Sequence, residues 1–597
     1  MVYHRPVFNL FHRFFASMRV LNVAEKNEAA KNIAAILGQG RATRREGCSR
    51  FNKIYEFSMD LNGSNCLFVM TSVSGHLLNF DFSQSFRHWD SCDPLALFDA
   101  PIVKKCTEEY EPIRRTLERE IKKCSHLIIW TDCDREGENI GMEVVEVCQR
   151  VKSSIHISRA RFSEITPVAI TRAVNNLTTL DERVSQAVDA RQELDLRIGA
   201  AFTRFQTLRL KRVFPRALAD QLVSYGSCQF PTLGFVVERF REVESFIPEP
   251  FWKITIEVVR EGEDSRAIFQ WKRGRLFDRA CCTAYHEHLL ENPIGRIVHV
   301  QQRPKSKWRP LPMDTVEMEK LASRKLRIGA KEAMQLAESL YTKGYISYPR
   351  TETNSFPNEL DLKPLVEAQT QDSRWSDFAW KYLAAGLRPR NGKKSDQAHP
   401  PIHPLKAGTN LQGNEARLYE LITRHFLACV SEDAKGAETT VRLLMGAVDS
   451  TAASSLESGE VFEARGLVIH SRNYLEVYYP YETWSERHMP GFELGEIITP
   501  DKIEMTEGST TAPNLLTEAD LIALMDKYGI GTDATHAEHI ETIKKRAYVG
   551  LQDAKFLVPS QLGMGLVEGT LFAGYDSMDL AVAKPCLRAD LEVDLKA

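Results

Sequence analysis

Two short apolar runs decide most of what this chain can become. RVLNV (19–23) leads through Glu25 and Lys26 into NEAAKNIAAIL, whose apolar residues recur at helical spacing. HLIIWT (126–131) leads into DCDREGEN and then IGMEVVEVCQRV, a second helix pattern. Neither run alternates with polar residues, so each predicts a strand buried on both faces. Alternating strands and helices through about residue 170 predict an α/β domain with a mostly parallel sheet. In such sheets ligands gather at the carboxyl ends of the strands. Glu25 and the acids of 132–138 both stand at such ends.

Beyond this domain the texture changes twice. Residues 180–245 read as helix, with LDERVSQAVDARQELDLRIGAAFTRFQTLRLKR as one long amphipathic stretch. From 251, FWKITIEVV and AIFQWKRGRLF are β-rich, as is 438–480, and a helical stretch separates the two blocks. Residues 515–548 return to helix. The expected fold class is therefore multidomain α/β and α+β. The expected divisions are a leader (1–18), the α/β domain (19–173), a helical domain (174–240 with 485–597), a β-rich domain (241–312 with 408–484) and a helical insert (313–407). No run of 18 or more apolar residues suggests a membrane helix. The leader MVYHRPVFNLFHRFFASM carries Arg5 and Arg13, and no acid precedes Glu25. It is compatible with a mitochondrial presequence, with Met18 as an alternative start, and equally with an uninformative terminus.

Asp132, Asp134, Glu136 and Glu138 form a DxDxExE run. An acidic helix start is commonly a solvated cap favoured by the helix dipole. Here an apolar strand delivers the run, and Glu25 ends another strand of the same domain. Oxygen donors grouped in this way suit Mg²⁺ assisted by substrate phosphate, with Lys26 as a point charge on that phosphate.

The other reactive stretch is GYISYPRTET (344–353). The preceding helix pattern, AKEAMQLAESLYTKG, ends at Gly344, a favoured C-terminal residue. Pro349 biases Tyr348 towards extended backbone, where residues two apart share a side. Tyr348 and Arg350 are thus expected to face one way, and Tyr345 to pack near the helix end. Ionising a phenol at neutral pH costs about 4 kcal/mol. A fixed guanidinium would reduce that cost and also hold a phosphate. The pair therefore has a mechanism, attack on a phosphodiester to leave phosphotyrosine. On the local sequence alone, a rim tyrosine beside a solvated arginine is the better reading.

A net charge of −3 gives no global sign of nucleic-acid binding, but 41–53, 303–310 and 322–331 are basic, with Phe51 and Trp308 as stacking faces. SYGSCQFPTLG (224–234) carries glycine and hydroxyls that suit close backbone approach. His399 and His403 sit in a proline-stiffened loop. Twelve cysteines include no CxxC pair, so no zinc ribbon is expected, and no P-loop suggests ATP.

VAEKNEAAKNIA, TSVSGHL, WTDCDREGENIG, RARFSEIT, RQELDLRIGAAFTRFQT, SYGSCQFPTLGFV, KSKWRP, GYISYPRTET, SDQAHPPIHP and YGIGTDATHAEHIETI occur in this order. From about residue 20 onward they resemble the type IA DNA topoisomerases, in the eukaryotic topoisomerase III group and its alpha branch. That resemblance implies a Toprim α/β domain joined to helical and β-rich domains as a toroidal core. It implies Tyr348 as nucleophile towards single-stranded DNA, Arg350 at the scissile phosphate, Glu25 as acid and metal ligand, Lys26 as phosphate anchor and His399 in support. Asp132, Asp134 and Glu136 would hold Mg²⁺. Ser224, Tyr225, Gly226, Ser227, Cys228 and Gln229 would lie in a single-strand groove. The implied activity is ATP-independent strand passage that relaxes negative supercoils and dissolves recombination intermediates in the nucleus. The implied partners are a RecQ-family helicase and an OB-fold accessory protein. Family members of this form usually continue into a zinc-binding region not found in this sequence, and 568–582 reads as a local insertion. The competing expectations are a Toprim nuclease or primase-like enzyme and a non-catalytic DNA-binding scaffold.

Overall fold

The computed structural model describes residues 18–61, 63–260, 266–446, 459–532, 535–572 and 583–596. The expected leader, apart from Met18, and most of the expected insertion at 568–582 lie outside the described residues.

The two apolar runs form neighbouring parallel strands, Met18–Ala24 and His126–Trp130. They lie within a six-stranded sheet. Its order is Thr43–Arg45, Ile54–Leu61, Ser64–Ser72, Met18–Ala24, His126–Trp130 and His156–Arg159. Alternate side chains enter two different cores. Leu21, Val23, Leu127 and Ile129 pack on one face, and Val20, Ala24, Ile128 and Trp130 on the other. Burial on both faces explains why neither run alternates, and the one polar side chain inside, Asn22, accepts the Trp130 Nε1–H at 2.9 Å. Helices Asn27–Leu37 and Arg135–Val151 follow the strands, so Glu25 and Asp132 are held at adjacent strand ends.

The core beneath Val20 and Trp130 continues into the helical insert. Met334, Leu340, Tyr341 and Tyr348 belong to the same cluster of buried side chains. The insert is thereby packed onto the α/β domain rather than tethered beside it.

A seven-stranded antiparallel sheet forms the β-rich domain. Its edge strands are Ile497–Ile498 and Lys502–Ser509, which lie past the expected boundary at 484. The alternation in KIEMTEGS is weak, and pairing along Pro250–Val259 supplies the strand. The other boundary shifts as well. Helix Gly413–Cys429 packs against helix Ala330–Thr342 and belongs with the insert's core, not with the sheet.

The remaining unit is helical. Helix Glu182–Val213 runs for 32 residues. Gln229–Glu244, Glu518–Lys527 and His536–Lys545 bury Leu233, Val236, Leu521, Ile522 and Ile540 in a core of their own.

Candidate active site

The acid turn is built before any partner arrives. Asp134 caps helix Arg135–Val151, its Oδ1 accepting the Gly137 N–H at 2.7 Å. Gly137 passes so close to the strand end that a Cβ there would lie 2.0 Å from the Asp132 carbonyl oxygen. Arg159, fully buried, donates to that carbonyl at 2.8 Å and to Glu138 Oε1 at 3.1 Å.

Glu25 Oε2 accepts the Asp132 N–H at 3.3 Å. Burial and the Asp132 carboxylate push the Glu25 carboxyl up to about 8, so it holds its proton at neutral pH. Burial also raises Asp132. Lys26 Nζ sits among three carboxylates, 3.4 Å from Asp132, 3.6 Å from Glu25 and 3.6 Å from Glu338. Burial works against its charge, but Asp132 and Glu25 outweigh it and hold the lysine above its ordinary range.

The tyrosine arrives from the insert. Helix Ala330–Thr342 closes with Gly344 in the left-handed region at φ +69, the Tyr345 N–H reaching back to the Leu340 carbonyl at 2.9 Å. The chain then makes a bridge at Ile346 between bends, and the Tyr348 N–H donates to the Ser163 carbonyl of the α/β domain at 3.0 Å. The Tyr348 hydroxyl donates to Asp134 Oδ2 at 2.5 Å, with the residue only 2% exposed. Tyr345 instead packs its ring edge-on to Tyr419. Arg350 Nε donates to Glu338 Oε1 at 2.9 Å, and the guanidinium lines the same cleft as Asp134 and His399. The His399 ring lies 4.4 Å from that of Tyr348, and among the described residues neither of its nitrogens has a hydrogen-bond partner. Burial lowers its pKa. His403 is fully buried, with Nδ1 on the Pro401 carbonyl.

Two expectations need correction. Arg350 was expected to ease ionisation of the phenol. In this arrangement burial and then Asp134 raise Tyr348 well above the ordinary phenol value, outweighing the arginine, so the phenol is neutral. Glu136 was expected with the metal acids. It turns instead to His76 Nε2 at 2.9 Å and to Arg191. Burial opposes the charge of His76, but its hydrogen bonds to Glu136 and Glu143 raise it to about 10, so the imidazolium keeps Glu136 paired. Glu25 and Asp132 stay grouped at the strand ends around Lys26, and Asp134, two residues on, lines the cleft. Three carboxyl groups so grouped, with Glu25 raised by burial and then by Asp132, suit a cation that keeps much of its water, such as Mg²⁺.

A second cleft of about 610 Å³ is lined by Tyr225 to Gln229 with Arg191, His539 and Arg588. Glu136, Arg191, Thr532 and Glu592 line both clefts, so the two share a wall. The expected groove residues divide here. Gly226, Ser227 and Gln229 are partly exposed, whereas Ser224 and Cys228 are buried and the Tyr225 ring stacks on Phe202 at 4.7 Å. Ser227 Oγ donates to Asp195 Oδ1 at 2.8 Å and accepts from Arg588 at 2.9 Å. Phe51 and Trp308 stand 66% and 65% exposed beneath Arg50 and Arg390.

Sequence reasoning missed Tyr341, Glu338, Arg159 and His76. Tyr341 and Glu338 looked like ordinary positions of an amphipathic helix. Arg159 closes a mostly polar strand, His156–Arg159, so nothing local signalled that its charge is buried.

A family model described as DNA topoisomerase matches residues 179–597, and one described as Toprim domain matches residues 20–165. DNA topoisomerase 3-alpha of Homo sapiens is 60% identical over 97% of this chain and 56% of its own length. DNA topoisomerase 3 of Schizosaccharomyces pombe is 42% identical over 97% of this chain and 92% of its own. Full-length topoisomerase I of Thermotoga maritima superposes with a TM-score of 0.69 at 22% identity, covering 96% of this chain and 86% of that one, a likeness of fold. The chain spans about half the length of the human relative and of the mouse DNA topoisomerase 3-alpha it also matches. A Toprim sheet docked against a tyrosine-bearing insert, matched by family models along nearly the whole chain, leaves one assignment: this chain belongs to the type IA DNA topoisomerases, in their topoisomerase III group.

Proposed function

We propose that this chain is the catalytic core of an ATP-independent topoisomerase that opens single-stranded or underwound DNA through a 5′-phosphotyrosine, passes another strand and reseals the break. The observation that carries the proposal is the Tyr348 hydroxyl on Asp134, in the cleft shared with Arg350 and His399 and beside Glu25 and Lys26. The Tyr348 oxygen attacks the phosphorus, its proton passing to Asp134. The bond from phosphorus to the 3′ oxygen breaks, and Glu25, protonated at neutral pH, gives that oxygen its proton. Lys26 and Arg350 hold the phosphate oxygens as charge builds, and His399 supports the tyrosine ring. Resealing reverses each transfer. Glu25, Asp132 and Asp134 would hold Mg²⁺, which supplies charge neutralisation for the nucleic acid during passage and resealing. Gly226, Ser227 and Gln229 offer the groove wall to the strand leading into the site.

In this reading the insert acts as a gate that carries Tyr348 and the attached 5′ end away from the Toprim domain, and the β-rich domain is the arch of the ring. The roles in dissolving recombination intermediates, the helicase and OB-fold partners, and action in the nucleus follow from the family resemblance. The basic leader supports a second destination in mitochondria. A fusion of residues 1–24 to a fluorescent protein tests that destination, and exclusion from mitochondria would refute it.

The main test mixes the protein with labelled single-stranded oligonucleotide, denatures it and looks for a covalent adduct. Wild type and Tyr345→Phe form adduct, and Tyr348→Phe forms none. Adduct from Tyr348→Phe would refute the assignment. Cutting without adduct in wild type would favour the metal-dependent nuclease.

A further inference from the structure

Two phenols, not one, reach the Toprim acids. While Tyr348 donates to Asp134 Oδ2, the Tyr341 hydroxyl donates to Asp132 Oδ1 at 3.2 Å. Tyr341 ends helix Ala330–Thr342 of the insert and is 1% exposed, with its ring edge-on to Tyr348 at 5.2 Å. The remaining oxygens of the two aspartates are also engaged. Asp132 Oδ2 faces Lys26 Nζ at 3.4 Å, and Asp134 Oδ1 accepts the Gly137 N–H at 2.7 Å. With the insert docked, every carboxylate oxygen of the pair therefore faces a protein donor. Among the described residues no group of three acids or other ligating side chains is arranged as a cation cage.

We propose that Tyr341 is a positioning residue that ties Asp132 to the docked insert, so that docking of the insert and binding of a divalent cation at Asp132 and Asp134 compete. The inference rests on the reading of these acids as the metal site. A hard dication draws the oxygen electron pairs that the phenol protons already use, and each phenol points its positive hydrogen at the oxygen the ion would take. Both phenols come from the insert and both acids from the Toprim domain, so undocking frees one oxygen on each aspartate at once. Coupling of this kind is reciprocal. The factor by which docking weakens the cation is the factor by which the cation weakens docking. A tyrosine that only packs would make no such link, and phenylalanine would replace it without consequence for the metal.

The test uses the full chain without nucleic acid, so it can fail independently of strand cleavage. Mn²⁺ serves as the probe, titrated by electron paramagnetic resonance. Tyr341→Phe keeps the ring and removes the hydroxyl, and is expected to tighten Mn²⁺ binding on the order of tenfold, the scale of one hydrogen bond to a charged acceptor. Tyr348→Phe gives a comparable gain at the other aspartate. Hydrogen exchange of the peptide spanning Ile346–Arg350, in wild type, reads docking directly through the Tyr348 amide. Mn²⁺ is expected to speed its exchange, and to do so less in Tyr341→Phe. Equal Mn²⁺ affinity in folded wild type and Tyr341→Phe would overturn the proposal. So would wild-type exchange that does not respond to Mn²⁺, a result that needs no variant to fold.

Discussion

Replacing Glu25 with glutamine separates the cost of burying an acid from its use in catalysis. The folded carboxyl titrates near 8, against 4.5 for the unfolded chain, because burial and Asp132 disfavour its charge. The folded state thus holds a proton that the unfolded state has released. This contribution to stability is fully present below pH 4.5 and is lost as pH rises towards 8. Each pH unit in that window costs about 1.4 kcal/mol, so ionised Glu25 burdens the fold by several kcal/mol at pH 8 and above. Glutamine has nearly the same shape and no charge. Glu25→Gln is therefore expected to match wild type near pH 5 and to exceed it increasingly up to pH 8, followed by thermal melting in chelator across that range. Its activity moves the other way. Wild-type adduct formation in single turnover should fall as pH rises through about 8, when Glu25 loses the proton it gives to the 3′ oxygen, and Glu25→Gln should be slow at every pH. Melting curves of the two proteins that run parallel from pH 5 to 8 would refute the assignment of a raised carboxyl.

Gly137→Ala drives a Cβ to 2.0 Å from the Asp132 carbonyl, a backbone atom with little room to yield, and is expected to cost about 3 kcal/mol in urea unfolding together with metal binding. Arg159→Met leaves Glu138 buried without its closest cation and should destabilise by about 3 kcal/mol, with Glu138→Leu in the same chain restoring much of the loss. Asp132→Asn with Asp134→Asn should abolish Mg²⁺-dependent relaxation of supercoiled DNA, and normal relaxation by that variant would remove the metal role.

The elements were legible because their causes are local. Largely apolar runs gave the central strands, the periodicity of NEAAKNIAAIL gave helix Asn27–Leu37, and Gly344 marked where the insert's helix turns out. Pro349 was the one local signal that separated Tyr348 from Tyr345, and the two rings do part, Tyr348 to Asp134 and Tyr345 to Tyr419. The edge strand Lys502–Ser509 was not legible, because its pattern is too weak without the partner that pairs with it.

The sequence by itself thus determined which residue types stand at the strand ends and at the end of the insert's helix. Only the tertiary structure decided what state they are in. It packed Tyr348 so deeply that its phenol stays neutral beside an arginine, raised Glu25 by burying it beside Asp132, and turned Glu136 aside to His76 and Arg191. It also brought Tyr341 to Asp132 from a helix far along the chain. The reason is common to all four. Burial and charge–charge coupling depend on which distant groups share a low-dielectric cleft, and no local spacing encodes that company.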